Sequence, residues 1–229
     1  WMYGVHCVSS GRVTVLPNAI DLIRFSFSPE SRAAVRQEIG ASESALVVGH
    51  IGRFMYQKNH AFLLRIFQAL LVLRPDAILM LAGEGELLDE TRALAKTLGI
   101  EHRVRFLGVR HDAERLYSAM DVFCLPSYAN EGVPQAIIQA MLCALPIVTT
   151  PVGAILEAVV DSSTALVVPP RDSAALATAI GRLLDDGDFA AAIGKAARRF
   201  ASANFSRNTM LDSIEIIFAN AAAWNSGHG

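Results

Sequence analysis

The side chains with chemistry to offer fall in three short stretches, each directly after an apolar run. Gly49-His-Ile-Gly-Arg53-Phe-Met-Tyr-Gln-Lys58-Asn-His60 sets two cations five residues apart between a strand-like and a helix-like segment. Glycine lets the backbone turn, free N–H groups at a helix start carry the positive dipole end, and Arg53 and Lys58 add charge. Together these make an anion site. Leu81-Ala-Gly83-Glu-Gly85-Glu-Leu-Leu88 has Gly-x-Gly after a strand, but Leu88 stands where a dinucleotide fingerprint has its third glycine. A tight turn at a crevice wall is the better reading. Glu131-Gly-Val-Pro-Gln-Ala-Ile-Ile-Gln139 brackets a strand-to-helix corner with a carboxylate and an amide. There Pro134 suits the first helical turn, and Gln135 and Gln139 share a helix face. Glu131 beside the amides of Gly132 and Val133 can grip sugar hydroxyls, which both donate and accept. The residues leave a second reading open, in which Glu131 caps its own loop and Gln139 is surface.

The histidines offer less. His50 falls in a strand, His60 opens a helix, and His102 and His111 lie in loops flanking a strand. None has a partner at metal-ligand spacing, so packing is their reading and no metal is expected. No Gly-x-Ser-x-Gly elbow and no Walker-A loop occurs.

These motifs need a scaffold, and the composition supplies one. The chain has 229 residues, 52% of them hydrophobic, which is ample for a buried core and excludes disorder over most of the length. A net charge of -2 gives no global attraction to nucleic acid or acidic membranes. Cys7, Cys124 and Cys143 are odd in number without Cys-x-x-Cys spacing, so buried thiols in a reducing, cytoplasmic compartment are expected. No apolar run reaches the ~18 residues of a spanning helix, and no signal peptide opens the chain. Trp1 begins abruptly, and an excised domain is expected.

Apolar runs without alternation mark strands at Val13–Leu16, Leu46–Ile51, Ile78–Ala82, Val104–Leu107, Val122–Leu125, Ile147–Thr150 and Leu166–Val168. Helices are expected at Pro29–Ile39, His60–Leu73, Leu87–Leu98, Ala113–Met120, Pro134–Leu142 and Ile155–Val160. After Pro169-Pro170 only helices follow, at Ser173–Leu184, Phe189–Ala203 and Ser206–Ala223, with a frayed tail from Asn225 to Gly229. Ser28 and Asn59 are the expected N-caps of the first two helices. Strand–helix alternation predicts a Rossmann-like α/β fold with a parallel sheet and C-terminal helices. In such folds ligands bind at the carboxyl ends of the strands.

With these residues in view, the chain resembles the family-4 retaining glycosyltransferases (group 1 type). It is similar to the nucleotide-sugar-binding C-terminal half of their twin-Rossmann architecture. Five landmarks carry the resemblance in family order: Leu16-Pro-Asn-Ala-Ile-Asp21, Ile51-Gly52-Arg53 with Lys58-Asn59, Phe106-Leu-Gly108, Pro126-Ser127 through Glu131 to Met141, and Thr150-Pro-Val-Gly153 with Glu157. The wording Gly-Arg-Phe…Gln-Lys-Asn-His looks like the bacterial branch that builds exopolysaccharide.

The resemblance implies roles at matching positions. Arg53 and Lys58 would hold the donor diphosphate and stabilise the leaving nucleotide. Glu131 would bond donor-sugar hydroxyls, with Gly52, Gly83, Ser127, Gly132, Val133 and Pro134 around the sugar and phosphates. Gln139 would grip the ribose, and the loop at Val109 and Arg110 would meet the base. The chain departs from the family pattern at Ala19, Pro134 and Gln139, each replacing a glycine or an acid. A ribose hydroxyl can still donate to the Gln139 carbonyl, without charge assistance. The implied function is sugar transfer with retention from a nucleotide diphosphate sugar, UDP being the family's commonest, to a glycan or lipid-linked acceptor in polysaccharide biosynthesis. The alternatives are a non-catalytic nucleotide-sugar-binding remnant or a non-hydrolysing nucleotide-sugar epimerase. No cofactor or metal is implied, and no nucleic-acid partner. Residues 1-25 would be a junction from a missing N-terminal Rossmann-like acceptor domain, 26-204 the nucleotide-sugar-binding domain, and 205-229 a C-terminal helix and tail. Alone, such a piece is expected to be inactive, with any attachment to the inner face of the plasma membrane residing in the missing half.

Overall fold

A computed structural model describes residues 16, 18–129 and 131–227. Cys7, residues 13–15 of the first expected strand and Pro17 of the junction lie outside the described residues. Six strands form one sheet: β1 (Val47–Ile51), β2 (Ile78–Ala82), β3 (Val104–Phe106), β4 (Val122–Leu125), β5 (Ile147–Thr149) and β6 (Leu166–Val167). Every neighbouring pair is parallel, in the order β3-β2-β1-β4-β5-β6. The strand order reverses between β1 and β4, and that reversal opens a crevice above their carboxyl ends.

Among the described residues are eight helices, of which the first seven contribute to the cores on the sheet: α1 (Pro29–Glu38), α2 (His60–Leu73), α3 (Leu88–Thr97), α4 (Ala113–Ala119), α5 (Gln135–Leu142), α6 (Ser173–Asp185), α7 (Gly187–Asn204) and α8 (Arg207–Gly227). Successive strand residues point to opposite faces and feed two cores. Val47, Ile78, Met80, Phe123 and Leu125 pack with α1, α4, α5 and α7. Val48, Leu79, Leu81, Val122 and Cys124 pack with α2, α3 and α6. Burial on both faces explains why these strands read as unbroken apolar runs.

Four local expectations are corrected. Ile155–Val160 is only a 3-10 turn, Ile155–Glu157. The β-branched pair Val159-Val160 resists helix, and the Thr164 hydroxyl competes for the backbone by accepting from the Val160 N–H at 2.8 Å. Pro134 is the N-cap of α5 with an extended ψ of 117°, one residue before the first turn. Asn59 precedes α2 in a left-handed conformation and makes no cap; its amide reaches the Pro126 carbonyl at 3.4 Å. The polar tail is helical to Gly227, continuing from the strong helix formers Ala221–Ala223. Ser28 caps α1 as expected, accepting from the Ser31 N–H at 3.0 Å. Cys124 and Cys143 are buried free thiols, and burial pushes Cys143 up to about 12.

Candidate functional site

The loops leaving β1, β2, β3 and β4 are laced by backbone hydrogen bonds. Gly52 donates to Ala82 at 3.0 Å, Phe54 to Glu84 at 2.7 Å, Leu87 back to Phe54 at 3.0 Å, Gly83 to Gly108 at 2.7 Å, and Tyr128 to Gln57 at 3.1 Å. Gly83 sits at φ +139°, and a Cβ there would lie 2.0 Å from the Gly52 carbonyl oxygen. Only glycine lets these loops approach so closely.

Between the first three loops lies a cleft of about 250 Å³ lined by Gly52, Arg53, Gly83, Glu84, Val109 and Arg110. Thus five expected site residues share one wall. Arg53 is exposed and makes no ion pair among the described residues. Arg110 differs. Its guanidinium holds Asp112 through Nε and Nη2 at 2.8 Å each, and also pairs with Glu38. Those hydrogen bonds raise the Arg110 pKa and hold Asp112 down to about 2. The Arg110 charge is therefore engaged by Asp112 on its own loop and by Glu38 at the end of α1.

Lys58 and Glu131, carried by different strand ends, meet at Nζ–Oε1 2.8 Å with only 17% and 8% of their side chains exposed. Ser127, fully buried, donates its hydroxyl to Glu131 Oε1 at 2.6 Å. The Ser127 carbonyl accepts in turn from the Thr150 hydroxyl. Behind the loop, the Glu131 carbonyl accepts from the Ala154 N–H at 2.9 Å. Gly153, at φ +59°, passes so close that a Cβ would meet that carbonyl oxygen at 2.0 Å. Glu131 is thus held at side chain and backbone, and its carboxylate engages Lys58 and Ser127. The amides of Gly132 and Val133 have no acceptor among the described residues and lie just before α5, where the helix dipole favours negative charge.

On α5, Gln139 Oε1 accepts from the Tyr117 hydroxyl at 3.1 Å. Sequence reasoning missed Tyr117, Thr150 as a brace and the Lys58–Glu131 pair. An aromatic residue within a helix signals core, and nothing local marks its hydroxyl.

His50 and His60 meet edge to face under the site, 4.6 Å between centroids, and His60 stacks on the Phe54 ring at 4.1 Å. Burial lowers His50 to about 4 and His60 to about 2. The His50 Nδ1 lies 2.8 Å from the Cys124 carbonyl; its Nε2 and both His60 nitrogens have no partner among the described residues. Both rings are neutral packing groups. Among the described residues no cluster of three or more His, Cys, Asp or Glu side chains is arranged to hold a metal. Nor is any described helix long and apolar enough to cross a membrane.

Comparison with known proteins gives a consistent picture. The model of the family "Glycosyl transferases group 1" matches residues 45–186. The GDP-mannose-dependent alpha-(1-6)-phosphatidylinositol monomannoside mannosyltransferase of Mycolicibacterium smegmatis is 33% identical over 202 residues, 85% of this chain and 53% of that protein. The D-inositol 3-phosphate glycosyltransferase of Mycobacteroides abscessus is 33% identical over 228 residues, 97% of this chain and 49% of its own length. The chain thus spans about half the length of the curated relatives it matches. Among solved structures, Anabaena Alr3699/HepE in complex with UDP-glucose superposes with a TM-score of 0.84 at 29% identity, over 90% of this chain and 57% of that one.

Proposed function

This chain belongs to the group 1 glycosyl transferases, and from that premise we propose that it is the donor-binding half of an enzyme that transfers a sugar, with retention, from a nucleotide diphosphate sugar. The observation that carries this reading is the division of labour at the strand ends. Arg53, without an ion pair among the described residues, lines a cleft beside loop backbone, and a Lys58–Glu131–Ser127 cluster joins its loop to the one after β4. The cleft takes the nucleoside diphosphate, with Val109 and the backbone at Arg110 facing the base. Arg53 and the amides of Gly132 and Val133 hold the phosphates. Glu131 takes the sugar hydroxyls, and Lys58, already at its side, reaches the bridging oxygen as charge develops on the leaving nucleotide. Two cations and helix-start amides do here what a metal ion does elsewhere, so we propose metal-independent transfer.

UDP is the proposed carrier: a relative crystallised with UDP-glucose is 29% identical here. The mycobacterial relative named for GDP-mannose makes a panel of nucleotides necessary. The proposed acceptor is a glycan or lipid-linked sugar in a polysaccharide pathway, met by a partner domain of the same architecture. That domain would also carry any attachment to a membrane surface. The epimerase alternative needs acid–base histidines, whereas His50 and His60 are buried and neutral. Calorimetry with UDP, GDP and ADP tests the donor half. One nucleotide is expected to bind, with affinity falling at least tenfold in Arg53→Ala. Nucleotide binding indifferent to Arg53 would sink the assignment, and an inverted anomer from the full-length parent would sink retention.

A further inference from the structure

Apart from the cleft beside Arg53, a cavity of about 310 Å³ opens where the starts of α2 and α3 meet the loops after β1 and β4. The two share no lining residue among the described residues. Tyr56 and Tyr128 form one wall, their rings edge to face with centroids 4.7 Å apart. Tyr56 is 61% exposed, so its ring is not held there by core packing. The Arg171 guanidinium lies 4.5 Å from the Tyr128 centroid, and the loop after β6 thereby helps to hold that ring. Asn59, His60, Glu90 and Thr91 supply the polar lining. The Asn59 side chain does not cap α2, which leaves the first N–H groups of that helix without the usual acceptor.

This lining selects among ligands. The exposed Glu90 carboxylate is an acceptor and works against an anion. Arg171 and the positive end of the α2 dipole work against a cation. What remains is a neutral ligand that both donates and accepts hydrogen bonds and has an apolar face for a tyrosine. A pyranose has all three: hydroxyls around its rim, and a face of C–H groups that meets the electron-rich face of an aromatic ring. The volume is at the lower end of ligand pockets, and suits one or two sugar rings. The 3-10 turn Tyr56–Lys58 carries Tyr56 to this cavity and Lys58 to Glu131, and Tyr128 directly follows Ser127. Cavity and ion pair therefore share two loops.

We propose that this cavity is a subsite for a neutral glycan, occupied by a sugar unit of the acceptor chain remote from the unit that receives the new sugar. That it takes a sugar stands on its own lining; that the sugar belongs to the acceptor rests on the sugar-transfer reading above. The donor half then takes part in choosing the acceptor, a task that the resemblance assigns to the other domain.

The test is saturation-transfer NMR of the 229-residue chain with the methyl glycosides of glucose, galactose, mannose and N-acetylglucosamine. Methyl glucuronide and methyl glucosaminide serve as charged controls. At least one neutral glycoside is expected to bind at millimolar concentration, more tightly than either control. Tyr56→Ala is expected to weaken it about fivefold, and Tyr56→Phe to stay within about twofold of the parent. Neither change at this exposed residue should move the melting temperature, so the loss reports a ligand contact. Saturating UDP or GDP is expected to leave glycoside binding unchanged. The proposal is overturned if no neutral glycoside binds, if a charged control binds as well, or if Tyr56→Ala has no effect. Displacement of the glycoside by nucleotide also overturns it, because the sugar would then lie in the donor cleft. In the full-length parent, Tyr56→Ala is expected to raise the acceptor KM about fivefold while the donor KM stays unchanged. If transfer proceeds with the acceptor KM unmoved, only the acceptor role fails. If glycosides bind as expected but the parent transfers no sugar, the sugar-transfer reading fails and the acceptor role with it.

Discussion

Arg53 and Lys58 belong to one loop, yet the fold treats them in opposite ways. Arg53 is exposed and unpaired among the described residues, so Arg53→Ala should leave the melting temperature nearly unchanged. Its cost, about 1.4–3 kcal/mol or ten- to a hundredfold, should appear in nucleotide affinity alone. Lys58 is paired and largely enclosed. Glu131→Ala would strand its ammonium and cost about 2–4 kcal/mol in urea denaturation, and adding Lys58→Met should return part of that loss. A double variant no more stable than Glu131→Ala would show that the pair is not what holds the loop. The residue types were legible in sequence because charges at strand ends stand out against apolar runs. Their pairing was not, since Lys58 and Glu131 are 73 positions apart and no periodicity links them. The same holds for Tyr117 and Gln139, which are joined only once α4 and α5 are packed side by side.

At the scale of elements, β1 and α2 meet through two histidines that cannot readily be charged. Their folded pKa values, about 4 and about 2, lie below the unfolded value near 6.5. The stability they contribute is therefore fully present above pH 6.5 and drains as pH falls toward 4, because the unfolded chain takes up protons that the folded one refuses. Each histidine costs up to about 1.4 kcal/mol per pH unit in that window. His60→Phe keeps a ring on Phe54 and should roughly halve the histidine part of the slope in thermal melts between pH 7.5 and 4.5. Parallel profiles for the two proteins would refute this. The β4-side loop makes a second prediction. Gly153→Ala meets the Glu131 carbonyl and a positive φ, and should cost more than about 2 kcal/mol while also weakening nucleotide binding. The elements themselves were largely legible: β2, β4 and α2 have the expected bounds, because runs buried on both faces and clear helix punctuation leave little choice. Legibility failed where side chains compete with the backbone, as at Val160 and Thr164, and where Asn59 turned its amide to another loop.

For the molecule as a whole, one sheet with a core on each face should melt as one unit, and a ligand at its strand ends should stabilise all of it. At a hundred times its dissociation constant, a nucleotide that binds only the folded chain adds about 2.7 kcal/mol. For a domain of this size that is a rise of roughly 5–10 °C. A rise confined to one of two transitions would contradict a single cooperative unit. Strand–helix alternation foretold the parallel sheet. The order of strands across it was not legible, since alternation does not say on which side each new strand is laid. The hydrogen bonds between Phe54 and Glu84, Gly83 and Gly108, and Tyr128 and Gln57 have one more effect. Each loop's shape is part of its neighbour's boundary, so the four are heritable as a block. Donor preference should resist change by single substitutions and transfer between relatives only when the loops after β1, β2, β3 and β4 are exchanged together. A chimera carrying one foreign loop would inherit its side chains without the backbone that aims them.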